Sequence, residues 1–266
     1  MAPSDSLIGA PARLQPWRYL YRLPLLLAWL LLAVPLLLIA LLPGLRTRRL
    51  GGRPLGAVVQ RAVARVLVRV LGMRLKVIGT LPEPPFLLVA NHISWFDIPL
   101  LHALTPIWLV AKADIRGWPL VGALAAAVGT IFIARGSDAS RRKAARRMVA
   151  LLRRGYVVGL FPEAGISARR GVDTFHARLF AAAQRAPAPV LPVAIRYWRD
   201  GDIHDERVFG PGTGFFGLML SMMGRAPCDG QLIVGAPIAP DGLTRRELAR
   251  LSQARITEMY GYAASR

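Results

Sequence analysis

Four histidines occur in the chain, His92, His102, His176 and His204. One of them has a neighbour that would let it work as a base. His92 lies in Ala90-Asn-His-Ile-Ser-Trp-Phe-Asp97, where an apolar run gives way to a helical pattern, and Asp97 follows five residues later. In a regular helix that separation is about 140° around the axis, so the two side chains would point apart. They meet only if His92 precedes the first turn and Asp97 lies within it. That arrangement predicts an imidazole whose Nδ1–H is held by the carboxylate and whose Nε2 is free to accept a proton. An alcohol is a poor nucleophile until such a base assists it, an effect of roughly 10²–10⁴-fold. His102 and His204 have no comparable company and read as structural or surface residues. Ser94 reads as a helix-start residue. The single cysteine, Cys228, excludes a disulfide framework and a cysteine-based metal cluster.

Rigid strands must position these groups. Phe86–Ala90, Ile107–Val110, Thr130–Ile133, Val157–Phe161, Val190–Ile195 and Leu232–Val234 are short apolar runs of strand length. Helical stretches separate them. Ser140–Arg154 is the clearest, with Ser137 as N-cap and Gly155 just past its end. The alternation predicts an α/β fold with a mixed, mostly parallel sheet flanked by helices. No internal repeat or low-complexity linker divides residues 75–266, which read as one catalytic domain.

The part before that domain is different in kind. Residues 1–22 form a polar lead, and no charged side chain occurs between Arg22 and Arg46. The apolar run 23–45 would reach ~34 Å as a helix, enough for a ~30 Å hydrocarbon core. It is longer than the apolar region of a signal peptide. Pro35 sits in its middle, so both a spanning helix and a re-entrant hairpin stay open. Arginines flank the run on both sides, with a slight excess after it, which places the main domain on the cytoplasmic side. Residues 54–72 read as a basic amphipathic interfacial helix, with Val59, Val63, Val66 and Val70 on one side and Arg61, Arg65 and Arg69 on another.

The composition agrees with a membrane partner. Against 15 Asp+Glu stand 35 Lys+Arg, a net charge of +20, on a chain that is 54% hydrophobic. The pI is near 11.6 and the mean hydropathy +0.40. Such charge attracts nucleic acid or an anionic bilayer. The dense basic helix 137–154 has neither an aromatic stacking platform nor zinc-finger or basic-zipper spacing, so nucleic acid is not expected. The segment Gly210–Phe216 lacks the Lys-Ser/Thr of a phosphate loop, which argues against nucleotide binding. The apolar stretch Phe215–Met223 suits a membrane face, an acyl groove or the core.

Four blocks follow one another: Asn91-His-x4-Asp97, Gly129-Thr-Ile-Phe-Ile-Ala-Arg135, Phe161-Pro-Glu-Ala-Gly-Ile-Ser167 and Val190-Leu-Pro-Val193. In this order and spacing they resemble the motifs of the glycerolipid (lysophospholipid) acyltransferase family, over roughly residues 75–240. The likeness is to its bacterial 1-acylglycerol-3-phosphate and lyso-ornithine-lipid branches. The resemblance implies a glycerol-3-phosphate acyltransferase-like fold and transfer of a fatty acyl group to a lysophospholipid. The donor would be acyl-ACP (acyl carrier protein) or acyl-CoA, with no bound cofactor, no metal and no covalent acyl-enzyme. The implied acceptor is 1-acylglycerol-3-phosphate, giving phosphatidate, with lyso-ornithine lipid as the alternative. A catalytically inactive membrane-binding homologue is a third reading.

The resemblance also implies residue roles. His92 would be the general base and Asp97 its support. Asn91, Arg135, Glu163, Gly165 and Ser167 would bind substrate, with Arg135 on the phosphate and Glu163 on acceptor hydroxyls or ordering Arg135. The third block departs from the family's Phe-Pro-Glu-Gly-Thr: Ala164 replaces Gly, Gly165 replaces Thr, and Ile166 replaces Arg or Thr. Arg169 and Arg170, just downstream, could restore charge, and His176 stands where relatives often carry Lys. These changes weaken the case for a phosphate-bearing acceptor and leave the His92–Asp97 pair intact. Alanine and arginine richness points to a GC-rich bacterium, hence to its inner membrane.

Overall fold

Strands covered by helices on both faces must be apolar on both sides, and the central strand here, Leu87–Ala90, is fully buried. The computed structural model describes residues 14–166, 171–199, 202–203 and 214–261. Its main sheet comprises β1 (Met73–Ile78), β2 (Leu87–Ala90), β3 (Trp108–Lys112), β4 (Ile131–Ile133), β5 (Val158–Leu160), β6 (Val190–Arg199) and β7 (Cys228–Val234). Their spatial order is β1-β7-β6-β2-β5-β3-β4. Every pair is parallel except β6 with β7, and the short strand Asp202–Ile203 returns antiparallel along the end of β6. This is the mixed, mostly parallel α/β sheet expected.

Six of the seven strands coincide with the expected apolar runs. β1 escapes that reading because Arg74 and Lys76 interrupt it. It is an edge strand, where cations are tolerated and discourage further pairing, and Arg74 Nε meets Asp229 Oδ1 of β7 at 2.6 Å. The basic helix begins with its predicted cap: the Ser137 hydroxyl accepts from Ser140 N at 3.1 Å. The helix, α4, runs Asp138–Arg153 and buries Ala144, Met148, Leu151 and Leu152. Its arginines occupy the other faces.

The N-terminal apolar helix, α1, spans Trp17–Ala40, six residues earlier than the expected 23–45. Arg18 and Arg22 therefore lie inside it, and the polar lead does not extend to residue 22. Pro35 does not turn the chain. A proline ring clashes with the carbonyl four residues back, and a π-helical turn at Trp29–Ala33 takes up the misfit before the helix continues. The reversal comes later, after Ala40, and α2 (Leu55–Val70) returns along α1. Trp29 Nε1 donates to Val63 O at 3.0 Å, while Gly56 lies against the Ala40 carbonyl, so the two helices are antiparallel.

The expected valine stripe of α2 is partly buried: Val63 and Val70 are buried, Val59 is half-buried and Val66 exposed, and Gln60, Ala64 and Val68 complete the buried face. Arg61 and Arg65 both reach the Ala103 carbonyl at the end of α3 (Asp97–Leu104). Two of the three stacked arginines thus cap a neighbouring helix, where a cation is favoured.

One buried cation anchors α1 to the domain. Arg22 Nη1 donates to the carbonyls of Met222 (3.2 Å), Met223 (2.9 Å) and Arg225 (2.9 Å) at the end of α5 (Phe215–Gly224). Its guanidinium rests on Gly72, where a Cβ would fall 2.6–2.7 Å from the guanidinium and φ is +79°. Only glycine fits both demands. The opposite side of α1 stays exposed, with Leu20, Leu31, Leu32 and Leu36 uncovered.

Candidate active site

Parallel α/β sheets place ligands beyond the carboxyl ends of their strands, and the chemistry-bearing residues stand there in a row. His92 follows β2 by two residues, Glu163 follows β5 by three, Lys112 ends β3, and Arg135 follows β4 by two. These strands are consecutive neighbours, β2-β5-β3-β4, so at ~4.8 Å per strand the row covers ~14 Å. His92 and Arg135 mark its two ends.

At the first end His92 precedes α3 and Asp97 opens it, as the spacing requires. His92 Nδ1 donates to Asp97 Oδ2 at 2.8 Å. The backbone N–H groups of Ile93 and Ser94 donate to the same oxygen, each at 2.8 Å. Tyr197 Oη, from β6, donates to Asp97 Oδ1 at 2.6 Å. Four donors on a carboxylate that is 0% exposed offset the cost of removing it from water. The hydrogen bond to Nδ1 sets the tautomer and leaves Nε2 without a proton, able to accept one. Phe161 stacks on the ring at 4.1 Å between centroids and 16° between planes, fixing its tilt. The His92 side chain keeps 12% of its surface exposed and lines a cavity of about 1750 Å³. Burial, then the Asp97 charge, hold the Tyr197 phenol well above its ordinary pKa, so it remains a donor.

Glu163 departs from its expected role. Its Oε2 accepts from His92 N at 3.1 Å and its Oε1 from Asp173 N at 3.1 Å. Both oxygens serve the backbone, so the side chain joins the His92 loop to the segment near Asp173 and does not order Arg135. Burial raises its pKa to about 7, against the pull of those two N–H groups. Asn91 also differs. It is fully buried, donating from Nδ2 to Ile195 O at 2.9 Å and accepting from Ile195 N at 2.7 Å. It couples β2 to β6 and stands outside the cavity lining, which corrects its assignment to substrate.

At the other end Arg135 rims the cavity, 72% exposed, with Asp114 Oδ2 3.7 Å from its Nε. Lys112 lies inward, and sequence reasoning missed it. A Cβ on Gly165 would sit 3.8 Å from Lys112 Nζ, so the glycine that replaces the family's Thr faces this ammonium. Partial burial, then nearby Arg135, lower the Lys112 pKa. Its position at the carboxyl end of a parallel strand was the available signal. His176 also lines the cavity. Ala164 adopts φ +60°, a conformation costing a side-chain-bearing residue about 1–2 kcal/mol, at the position where the family pattern has Gly. Ser167, Arg169, Arg170 and His204 lie outside the described residues.

Arg141, Arg178, Arg245 and Arg246 also line the cavity, and its stretch toward the N-terminal helices is mostly apolar. It runs between α1, α2 and α3, past Trp29, Leu37, Leu67 and Phe96, and an aromatic group of Trp95, Trp118 and Phe215 flanks His92's side of it. His102 is no surface residue: it is buried and contributes to this lining.

Comparison with known proteins agrees with this geometry. The acyltransferase family matches residues 74–196. The chain is 41% identical over 226 residues to the lyso-ornithine lipid O-acyltransferase of Pseudomonas aeruginosa, covering 81% of this chain and 85% of that one. It is 38% identical over 138 residues to the 1-acyl-sn-glycerol-3-phosphate acyltransferase of Neisseria meningitidis serogroup B, covering 51% and 54%. The fold matches the crystal structure of the 1-acyl-sn-glycerophosphate (LPA) acyltransferase PlsC from Thermotoga maritima, with TM-score 0.69, 21% identity, and 94% and 98% coverage. The fold and the His–Asp site define an α/β acyl-transfer enzyme. The chain belongs to the acyltransferase family.

Proposed function

We propose that this enzyme transfers a fatty acyl group from a thioester to the hydroxyl of lyso-ornithine lipid at a membrane surface. The observation that carries the acyl-transfer chemistry is the His92–Asp97–Tyr197 chain opening into an apolar cavity of about 1750 Å³. That volume exceeds the ~300–1,000 Å³ of an ordinary small-molecule site and suits lipid chains. His92 Nε2 removes the acceptor hydroxyl proton as the oxygen attacks the thioester carbonyl. The tetrahedral intermediate collapses, the carbon–sulfur bond breaks, and the proton on Nε2 passes to the departing thiolate. Asp97 stabilises the imidazolium in between. The N–H groups of His92, Ile93 and Ser94 are already committed to carboxylates, so the oxyanion needs other donors.

Two observations favour lyso-ornithine lipid over the phosphate acceptor that the four motifs alone put first. The match to the Pseudomonas enzyme extends over most of both chains. The head-group end mixes signs, with Lys112 and Arg135 beside Asp114, which suits a head bearing both carboxylate and amine. A second reading, 1-acylglycerol-3-phosphate as acceptor, is favoured by the two cations and by the similarity to the Neisseria enzyme.

The acidic carriers of acyl thioesters, acyl-ACP or acyl-CoA, suit the +20 charge. The exposed leucine face of α1, a helix whose 18-residue apolar stretch has a mean hydropathy of 2.7, would enter the bilayer of a bacterial inner membrane while the row of strand ends faces the cytoplasm. Purified enzyme supplied with labelled acyl thioester and both acceptors in competition tests the reading. Preferential, His92-dependent acylation of lyso-ornithine lipid is expected, and strong preference for lysophosphatidate would overturn the choice of acceptor.

A further inference from the structure

The apolar stretch of the cavity contains a polar pair that the reaction does not use. His102 on α3 is 8% exposed and Gln60 on α2 is 5% exposed, and both line the cavity. Gln60 Nε2 lies 2.8 Å from His102 Nδ1. With the amide nitrogen donating to Nδ1, the ring proton sits on Nε2 and the Gln60 carbonyl oxygen is left as an acceptor. Turning the amide over exchanges the roles and again leaves one donor and one acceptor. Among the described residues no further hydrogen bond reaches either side chain. Around the pair the wall is Val63, Ala64, Leu67 and Ile98.

A saturated chain laid against such a pair would strip it of water and return nothing, a penalty that apolar residues at both positions would avoid. An oxygen carried on the chain would restore both hydrogen bonds. His102 lies five residues along α3 from Asp97, or ~8 Å along the axis. The pair therefore faces the interior of a fatty chain and not the reacting carbonyl.

We propose that Gln60 and His102 form a polar subsite in the lipid groove that recognises a second hydroxyl, distinct from the one being acylated, on a fatty chain of one of the two substrates. The inference rests on the acyl-transfer reading for the chain's presence in the groove. The ring is suited to the role because burial lowers its pKa to about 4. It stays neutral at physiological pH and offers a hydrogen bond without a charge. The donor's acyl chain and the acceptor's own chain are the two sources of such a hydroxyl, and the same chemistry serves either.

The experiment uses the full-length enzyme in lipid nanodiscs and compares kcat/KM for chains of equal length with and without one added hydroxyl, the hydroxyl that is acylated being kept in every acceptor. One arm varies the thioester and the other varies the acceptor. A preference of roughly tenfold for one hydroxyl position is expected in one arm, from the cost of an unmatched buried polar group, and that arm identifies the source. In His102→Phe and in Gln60→Leu the ratio should fall to about one. The second variant keeps the ring, so a folding defect at His102 does not decide the outcome. No preference at any position in either arm, or a preference that survives both substitutions, would overturn the subsite.

Binding is read separately, by displacement of a fluorescent fatty acid with hydroxylated and plain fatty acids. Selective displacement that needs His102, together with no turnover of any acceptor, would support the subsite and overturn the acyl-transfer reading. Equal displacement by both kinds of acid would overturn the subsite whatever the turnover.

Discussion

Tyr197 and Asp97 are one hundred residues apart in the chain, and the phenol of one donates to the carboxylate of the other at 2.6 Å. In the proposed mechanism Tyr197 is a positioning residue for the base, acting through Asp97 and not on substrate. Removing the hydroxyl in Tyr197→Phe takes one of four donors from a buried carboxylate, an effect of about 1.5–3 kcal/mol for a charged hydrogen bond. We expect kcat to fall about tenfold or more with KM little changed, together with a shifted pH profile. A purely structural role would lower the yield of folded enzyme and leave the profile of the remainder alone.

Asp97→Asn keeps the shape but places an amide where four donors converge, so His92 loses the partner that sets its tautomer. Turnover should drop by roughly 10²–10⁴-fold, comparable with His92→Ala. Initial rates with saturating thioester check this, and wild-type rates in either variant would remove the proposed base.

Glu163 makes stability depend on pH in a definite direction. Its pKa rises from an ordinary 4.5 to about 7 in the folded chain. Between those values the folded state holds a proton that the unfolded state has lost, so stability falls as pH rises through this window and is level above it. In Glu163→Gln this contribution disappears. The difference in Tm, wild type minus variant, should therefore decrease from pH 4.5 to 7 and then stay constant. A difference that grows with pH would contradict the assignment.

Ala164 stands at φ +60° beside the cavity. Ala164→Gly relieves about 1–2 kcal/mol of backbone strain and returns part of it through the greater freedom of the unfolded chain. A net gain of about 1 kcal/mol is expected, or ~2–4 °C in Tm for a domain of this size. Differential scanning calorimetry measures it directly.

Gly72→Ala should do the opposite. Its Cβ would meet the Arg22 guanidinium at 2.6–2.7 Å in a left-handed conformation, displacing the buried cation from the end of α5. A loss of about 2 kcal/mol or more is expected from strain and the broken charged hydrogen bonds together. Faster proteolysis around α1 would accompany it.

Much of this protein follows from local pattern. The helix at Asp138–Arg153, with its Ser137 cap, and the apolar strands β2 to β7 are legible because capping and apolar runs act over a few residues. The His92–Asp97 pair is legible for the same reason: a base just before a helix and an acid in its first turn meet through local geometry. β1 was hidden by Arg74 and Lys76, whose cost vanishes only at a sheet edge. The start of α1 was hidden by Arg22, which looks like a solvated flank until carbonyls from residues two hundred positions away surround it.

What the chain order determined by itself is which atoms can exchange a proton and the general α/β layering, because both depend on near neighbours. Tertiary structure decided which distant groups complete the site: Tyr197 behind the acid, Lys112 beside Gly165, Glu163 turned toward backbone, Gln60 beside His102. The reason is physical. A buried polar group must find its partners wherever packing brings them, and strand order, which no short spacing encodes, is what brings residues so far apart along the chain within 3 Å.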